Sequence, residues 1–310
     1  MLEALSLRGV ARDRTSVRLR AVGLILGAVG VVLGLVVLGS GLAAGSTSDV
    51  TDRATLLGWS FGVATTGFAL VKIAIATILA GILTQLWRRV ETTRQVLPSL
   101  VPAVTADGPV GVVETPYGPA TVDAKAPAPL LIHRTARAMW APMLAMGAMG
   151  VLAGLVLSLV QADSVGSDPE LVRQLSVWVP GLQFLGEALL LSGISLLLGT
   201  ILFALRAGGG EVQESLGVRV TTLIKPLTAK VFVGLMALGL MISIAQFVGY
   251  AVTAGETDPV IFASRLAWLG PLREAGLGFL LAGIVMALAT IARVLGFQFW
   301  RLRSIALDGR

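Results

Sequence analysis

Few side chains in this sequence could do chemistry, and the most telling lie in apolar surroundings. Lys72 follows Gly67 by five residues in one long apolar run, and Glu187 follows Gly186 by one in another. A charge near the centre of a bilayer costs a few kcal/mol or more, so an ionisable residue there is by default paired or functional. Arg273, Glu274 and Arg293 stand nearer the ends of a third run, where a long side chain can reach the interface or stay hydrated. Lys72 and Glu187 therefore form the candidate site, an intramembrane charge pair. On helices running in the same direction the two glycines put them four residues, about 6 Å, apart in depth, a gap that a lysine stem crosses. The alternatives are a site facing a polar cavity and a lysine that snorkels towards lipid.

Other chemistry is hard to assemble. His133 is the single histidine and there is no cysteine. That leaves no bis-histidine haem site, no thiolate or poly-histidine metal site and no cysteine nucleophile. A Gly-x-x-x-x-Gly-Lys-Ser/Thr loop is absent. Gly208, Gly209 and Gly210 have no strand before them and no phosphate-reading lysine after them, and they read as the end of the fourth helix. There is no Gly-x-Ser-x-Gly, and no inward pair of carboxylates suggests general acid–base work. The expectation is a protein that is not an enzyme and holds no cofactor and no metal.

The elements that must position these residues are membrane spans. Of the 310 residues 55% are hydrophobic and 14% charged, against roughly 25% charged in soluble domains, and the mean hydropathy is +0.86. Disorder and a soluble globule are both at odds with that balance. Six stretches supply the about 20 apolar residues of a transmembrane helix, at 21–44, 56–87, 138–161, 177–205, 227–253 and 269–298. The first resembles a secretory signal in its basic flank and in Ala43 and Ala44. Its apolar run of about 24 residues exceeds the about 7–15 of a signal core, so it reads as a retained helix. The second is longer than a bilayer requires, which implies tilt or extension beyond the membrane.

Lys and Arg placement orients the spans. The tail 1–20 carries Arg8, Arg12, Arg14, Arg18 and Arg20, and the connectors 88–137 and 206–226 and the tail 299–310 are also basic. The other side holds only Arg53, Arg173, Arg265 and Arg273, among acidic residues such as Asp49, Asp168 and Asp258. Both termini are therefore expected in the cytoplasm, with the chain multi-pass in the inner (cytoplasmic) membrane. The net charge of +6 reflects this bias and does not indicate nucleic-acid binding.

Self-comparison gives a threefold repeat. With Gly67, Gly186 and Gly276 aligned, Trp59, Trp178 and Trp268 stand eight residues before them and Ile75, Ile194 and Ile284 eight after. In the odd spans Ala28-x-Gly30-x-x-x-Gly34 matches Ala148-x-Gly150-x-x-x-Gly154 and Ala237-x-Gly239-x-x-x-Ser243. The fold class expected is an all-α integral membrane protein, with six transmembrane helices forming three tandem parallel-repeat helical hairpins at 21–87, 138–205 and 227–298. Small residues four apart let helix backbones approach closely, so Gly30, Gly34, Gly150, Gly154, Gly239 and Ser243 are expected to face other helices. The six tryptophans, Trp59, Trp178 and Trp268 outside and Trp87, Trp140 and Trp300 inside, sit at the depth that suits an indole and read as interface anchors.

In the first connector, residues 110–123 alternate β-branched residues around Pro116, Tyr117, Gly118 and Pro119. This reads as a small β-hairpin, with an extended connector as the alternative. Residues 211–220 repeat the pattern faintly. An isolated hairpin is marginal in water, so these segments are expected to rest on something. In the tail, Leu2, Leu5 and Gly9 fall at helical spacing among the arginines, which suits either an amphipathic segment on the anionic leaflet or a solvated basic tail.

Two functions fit. One is a non-catalytic accessory subunit that scaffolds or stabilises a larger membrane complex, with the lipid bilayer and other membrane subunits, or copies of itself, as partners. The other is a small-solute transporter or channel with three hairpins around a central path. Three hairpins connected on the cytoplasmic side resemble the layout of the mitochondrial carriers. That family's Pro-x-Asp/Glu-x-x-Lys/Arg signature is absent from the odd-span ends, so none of its residue roles carries over.

Overall fold

The computed structural model describes residues 14–100 and 111–308. The basic tail 1–13, with Leu2, Leu5 and Gly9, and residues 101–110, with the first residue of the expected β-hairpin, lie outside the described residues.

Six long helices dominate: α1 (Arg14–Ser46), α2 (Val50–Leu100), α3 (Leu131–Asp163), α4 (Pro169–Ser215), α5 (Leu227–Ala254) and α6 (Pro259–Asp308). All six are long and apolar enough to cross a membrane. They pair as α1 with α2, α3 with α4 and α5 with α6, each pair joined by a short turn at one end of the bundle, the turn end. The helices outrun the apolar stretches. A span needs about 20 residues, yet α2, α4 and α6 have 51, 47 and 50. They continue past the other end of the apolar layer into what the sequence assigns to connectors and tail.

Each even helix starts on an aspartate. Asp49 Oδ1 accepts hydrogen bonds from the Thr51 and Asp52 amides, Asp168 Oδ1 from Leu171, and Asp258 Oδ1 from Val260 and Ile261. These carboxylates satisfy amides that a first turn leaves without partners and complement the positive end of the helix dipole. Pro169 and Pro259 follow as first helical residues, where a missing N–H costs nothing. Each capping aspartate stands 18 residues before Gly67, Gly186 or Gly276 respectively.

The helices form a row with α4 at its middle. In its most apolar window α4 is 72% buried, against 11% for α1. It touches α2, α3, α5 and α6, whereas among the described residues α2 does not approach α6. Glycines set the close crossings within each pair. A Cβ at Gly67 would sit 3.0 Å from the Gly30 carbonyl oxygen, one at Gly186 2.8 Å from that of Gly147, and one at Gly276 2.8 Å from Ser243 Oγ. Glycines also set crossings between pairs, where Gly62 of α2 meets Ser158 of α3 and Gly181 of α4 meets Tyr250 of α5.

A three-stranded antiparallel sheet closes the end opposite the turns, the sheet end. β1 (Gly111–Thr115) pairs with β2 (Gly118–Asp123), with Thr115 opposite Gly118, and β2 pairs with β3 (Val220–Leu223), with Ala120 opposite Leu223. Gly118 takes φ +110° at the turn, a conformation that favours glycine. The segment 211–220 does not make a second hairpin: Glu211–Ser215 finishes α4 and β3 joins the first connector's sheet. Ala120 and Leu223 belong to the same apolar core as Leu198, Val294 and Phe297, so the sheet rests on the bundle. Tyr117 lies over Gly296 of α6, and Arg293 Nε donates to the Tyr117 carbonyl oxygen at 2.6 Å.

The glycine triplet corrects the sequence reading of a helix end. Gly208, Gly209 and Gly210 lie inside α4, and each faces a different neighbour: Val90 of α2, Gln298 and Arg301 of α6, and Val220 of β3. A glycine inside a helix costs about 1 kcal/mol. Here three in a row allow three elements to approach one helix turn.

Candidate functional site: a charge ladder across three hairpins

Lys72 of α2 reaches Glu187 of α4, with Nζ 3.0 Å from Oε1. The other carboxylate oxygen faces Arg273 of α6, with Nη2 3.5 Å from Oε2. The Glu187 side chain is 4% exposed, while Lys72 and Arg273 keep 19% and 28% of theirs. Arg273 Nη1 also lies 3.5 Å from Glu274 Oε1, and its guanidinium stands 3.8 Å from the centre of the Phe184 ring, a favourable cation–π distance.

The register explains the meeting. Relative to Gly67, Gly186 and Gly276, Lys72 is five residues after, Glu187 one after and Arg273 three before. Each step is four residues, about 6 Å along a helix, so two cations flank one carboxylate from opposite sides in depth. Reading Arg273 as a snorkelling residue missed this. The signal in the sequence is its four-residue step from Glu187. Arg293, also read as snorkelling, binds the Tyr117 carbonyl oxygen instead.

The remaining candidate residues divide clearly. Gly30 meets the Gly67 carbonyl oxygen, Gly150 the Gly186 backbone, Gly154 the Gln183 side chain, and Gly239 the Gly276 carbonyl oxygen, and Ser243 Oγ bonds back to the Gly239 carbonyl oxygen. Gly34 departs from expectation. It is exposed and a Cβ there would meet nothing within 4 Å. Its backbone nitrogen passes near Gly67, and α1 still meets α2 beyond it through Ser40 and Ser60, but the open side of Gly34 points away from α2. Among the tryptophans, Trp178 packs edge-on to Phe247 and Trp300 stacks on Phe297, while Arg137 lies over Trp87 at 5.1 Å. Trp140 packs against the main core, Trp59 is half-buried and Trp268 is half exposed. The His133 ring stacks on Phe203 at 4.5 Å, and its Nδ1 accepts from the Leu130 amide.

Two cavities lie at opposite ends of the bundle. One, of about 780 Å³, opens at the turn end and is lined by Tyr250, Arg273 and Glu274. The other, of about 390 Å³, lies at the sheet end. Neither is lined by Lys72 or Glu187. Among the described residues no three of His, Asp and Glu come together as metal ligands. Chemically the ladder can neutralise buried charge and hold three helices in register. Comparison of the chain with protein-family models, with curated proteins and with solved structures finds no significant match.

Proposed function

We propose that the chain is a non-catalytic polytopic membrane subunit that scaffolds or stabilises a larger membrane assembly. The carrying observation is the Lys72–Glu187–Arg273 ladder, in which a buried carboxylate joins α4 to cations of α2 and α6. Removing one partner of such a buried pair strands a charge, so the ladder favours one fixed arrangement of the row. The sheet gathers two connectors into one surface at the sheet end, and among the described residues its β1 edge is unpaired, a feature to which a partner can add a strand.

The threefold parallel repeat is part of this proposal. Its support is the capping aspartate at a constant 18 residues, the aligned glycine at each crossing, and the pair Gly62 and Gly181, each five residues before its aligned glycine and each facing the next odd helix. An orientation with the sheet end and both termini in the cytoplasm, and the chain in the inner membrane, is also part of the proposal; the basic flanks support the orientation.

A transporter is the second reading, favoured by the turn-end cavity with Arg273 and Glu274 on its wall. Extraction of the tagged full-length chain in mild detergent, followed by mass spectrometry, separates the two. The scaffold reading expects a stoichiometric partner subunit. A chain that purifies alone and moves a solute across proteoliposomes would overturn it.

A further inference from the structure

The sheet-end cavity carries an inference that the scaffold reading does not require. It lies on α4, with α6 also lining it, between α3 and α5, whose backbones among the described residues do not come close, which leaves a slot between them on the side of the bundle that faces lipid. Its walls are apolar, with Phe203, Phe232 and Phe297 among them. Its mouth is cationic: Arg206, Lys225 and Lys230 line it, with His133 beside them. Among the described residues none of these three cations forms an ion pair, and the Arg206 Nε is buried without a hydrogen-bond partner.

Depth and length both fit one class of ligand. Arg206 directly follows the fourth apolar span, and Lys225 and Lys230 flank the start of the fifth, so the cations stand at headgroup level. From Arg206 the lining runs inward to Ser195, eleven residues back along α4, about 16 Å. One leaflet of a hydrocarbon core about 30 Å thick is about 15 Å deep. Basic pockets between transmembrane helices at this level suit phosphate headgroups. We propose that the cavity holds an anionic phospholipid from the leaflet at the sheet end, with its phosphate against Arg206, Lys225 and Lys230 and one acyl chain along α4 towards Ser195.

The test uses the full-length protein in nanodiscs of phosphatidylcholine with and without phosphatidylglycerol, read by thermal shift and by native mass spectrometry of retained lipid. One phosphatidylglycerol per chain should be retained and should raise the melting temperature, while phosphatidylcholine should not. Arg206→Gln with Lys225→Gln should weaken retention about 30-fold, from the loss of two cations at an anionic headgroup. Lys125→Gln, an equal charge change at an exposed connector position, should leave it unchanged. Gly199→Leu keeps the cations but fills the slot, and its first carbon meets Phe232 and Ala136 only at ordinary contact distance, so it should fold and lose the lipid. Each of these results would overturn the proposal: equal retention of both lipids, full competition by inorganic phosphate at matched ionic strength, or undiminished retention by folded Gly199→Leu. Finding no retained lipid, because a second copy or the chain's own residues fill the slot, would also overturn it.

Discussion

Lys72 Nζ and Glu187 Oε1 meet 3.0 Å apart inside the apolar bundle, but Glu187 is not the partner of Lys72 alone, because its other oxygen is shared with Arg273. The sharing makes the three residues unequal. Glu187→Gln strands two cations and should destabilise by about 3–5 kcal/mol, the cost of breaking a buried pair. Lys72→Met leaves Glu187 paired with Arg273 and should cost clearly less. The double variant should recover only part of the Glu187→Gln loss, since Arg273 keeps just Glu274. Denaturation midpoints in one detergent check the order, and equal losses for the two single variants would contradict it.

The glycine crossings predict opposite outcomes for two glycines that look alike in sequence. Gly186→Ala drives a methyl against the Gly147 carbonyl oxygen and the Val151 backbone, at 2.8 Å from each, and should cost about 1–3 kcal/mol as overpacking. Gly34→Ala points into open space and should be neutral or slightly stabilising. Melting temperatures of the two variants compare them directly.

The sheet hangs on α6 through Tyr117 and Arg293. Gly296→Val puts bulk where the Tyr117 ring lies, and Arg293→Gln removes the donor to the Tyr117 carbonyl oxygen. Both variants should expose residues 111–123 to protease while circular dichroism of the helices stays unchanged. Cleavage no faster than in the parent protein would count against this docking.

The helix caps should behave as a set. Asp168→Ala and Asp258→Ala each remove side-chain acceptors from first-turn amides and should cost about 1 kcal/mol. Asp→Asn at the same positions keeps an acceptor oxygen and should retain most of the stability. Thermal unfolding of the four variants checks this.

How much was legible in the sequence varies by element. The spans stand out because apolar runs of this length have few other uses. The crossings were half legible: Gly30 and Gly34 are the same residue type four apart, but small size marks only where a neighbour could approach. It does not mark which side of the helix the neighbour lies on, and the open side of Gly34 faces away from α2. Asp49, Asp168 and Asp258 stood in plain view as acidic loop residues, and only the capping geometry turns their constant register into a signal. The glycine triplet misled because a run of glycines usually ends a helix, and the elements that crowd Gly208, Gly209 and Gly210 come from far along the chain. Arg273 was missed for a similar reason: closeness to a span end says where a side chain can reach water, not whether a buried carboxylate attracts it more strongly.

A rigid row is what separates a scaffold from a transporter that rocks its repeats around a site. The chain has no cysteine, so spin labels can be placed cleanly at Ala54→Cys on α2 and Ser264→Cys on α6, both exposed near the turn end. Pulsed electron paramagnetic resonance on this doubly labelled protein in nanodiscs should give one narrow distance distribution, as expected of helices fixed through Glu187. Two separated distances, or a distribution that shifts when a solute is added, would contradict the fixed row and with it the scaffold function.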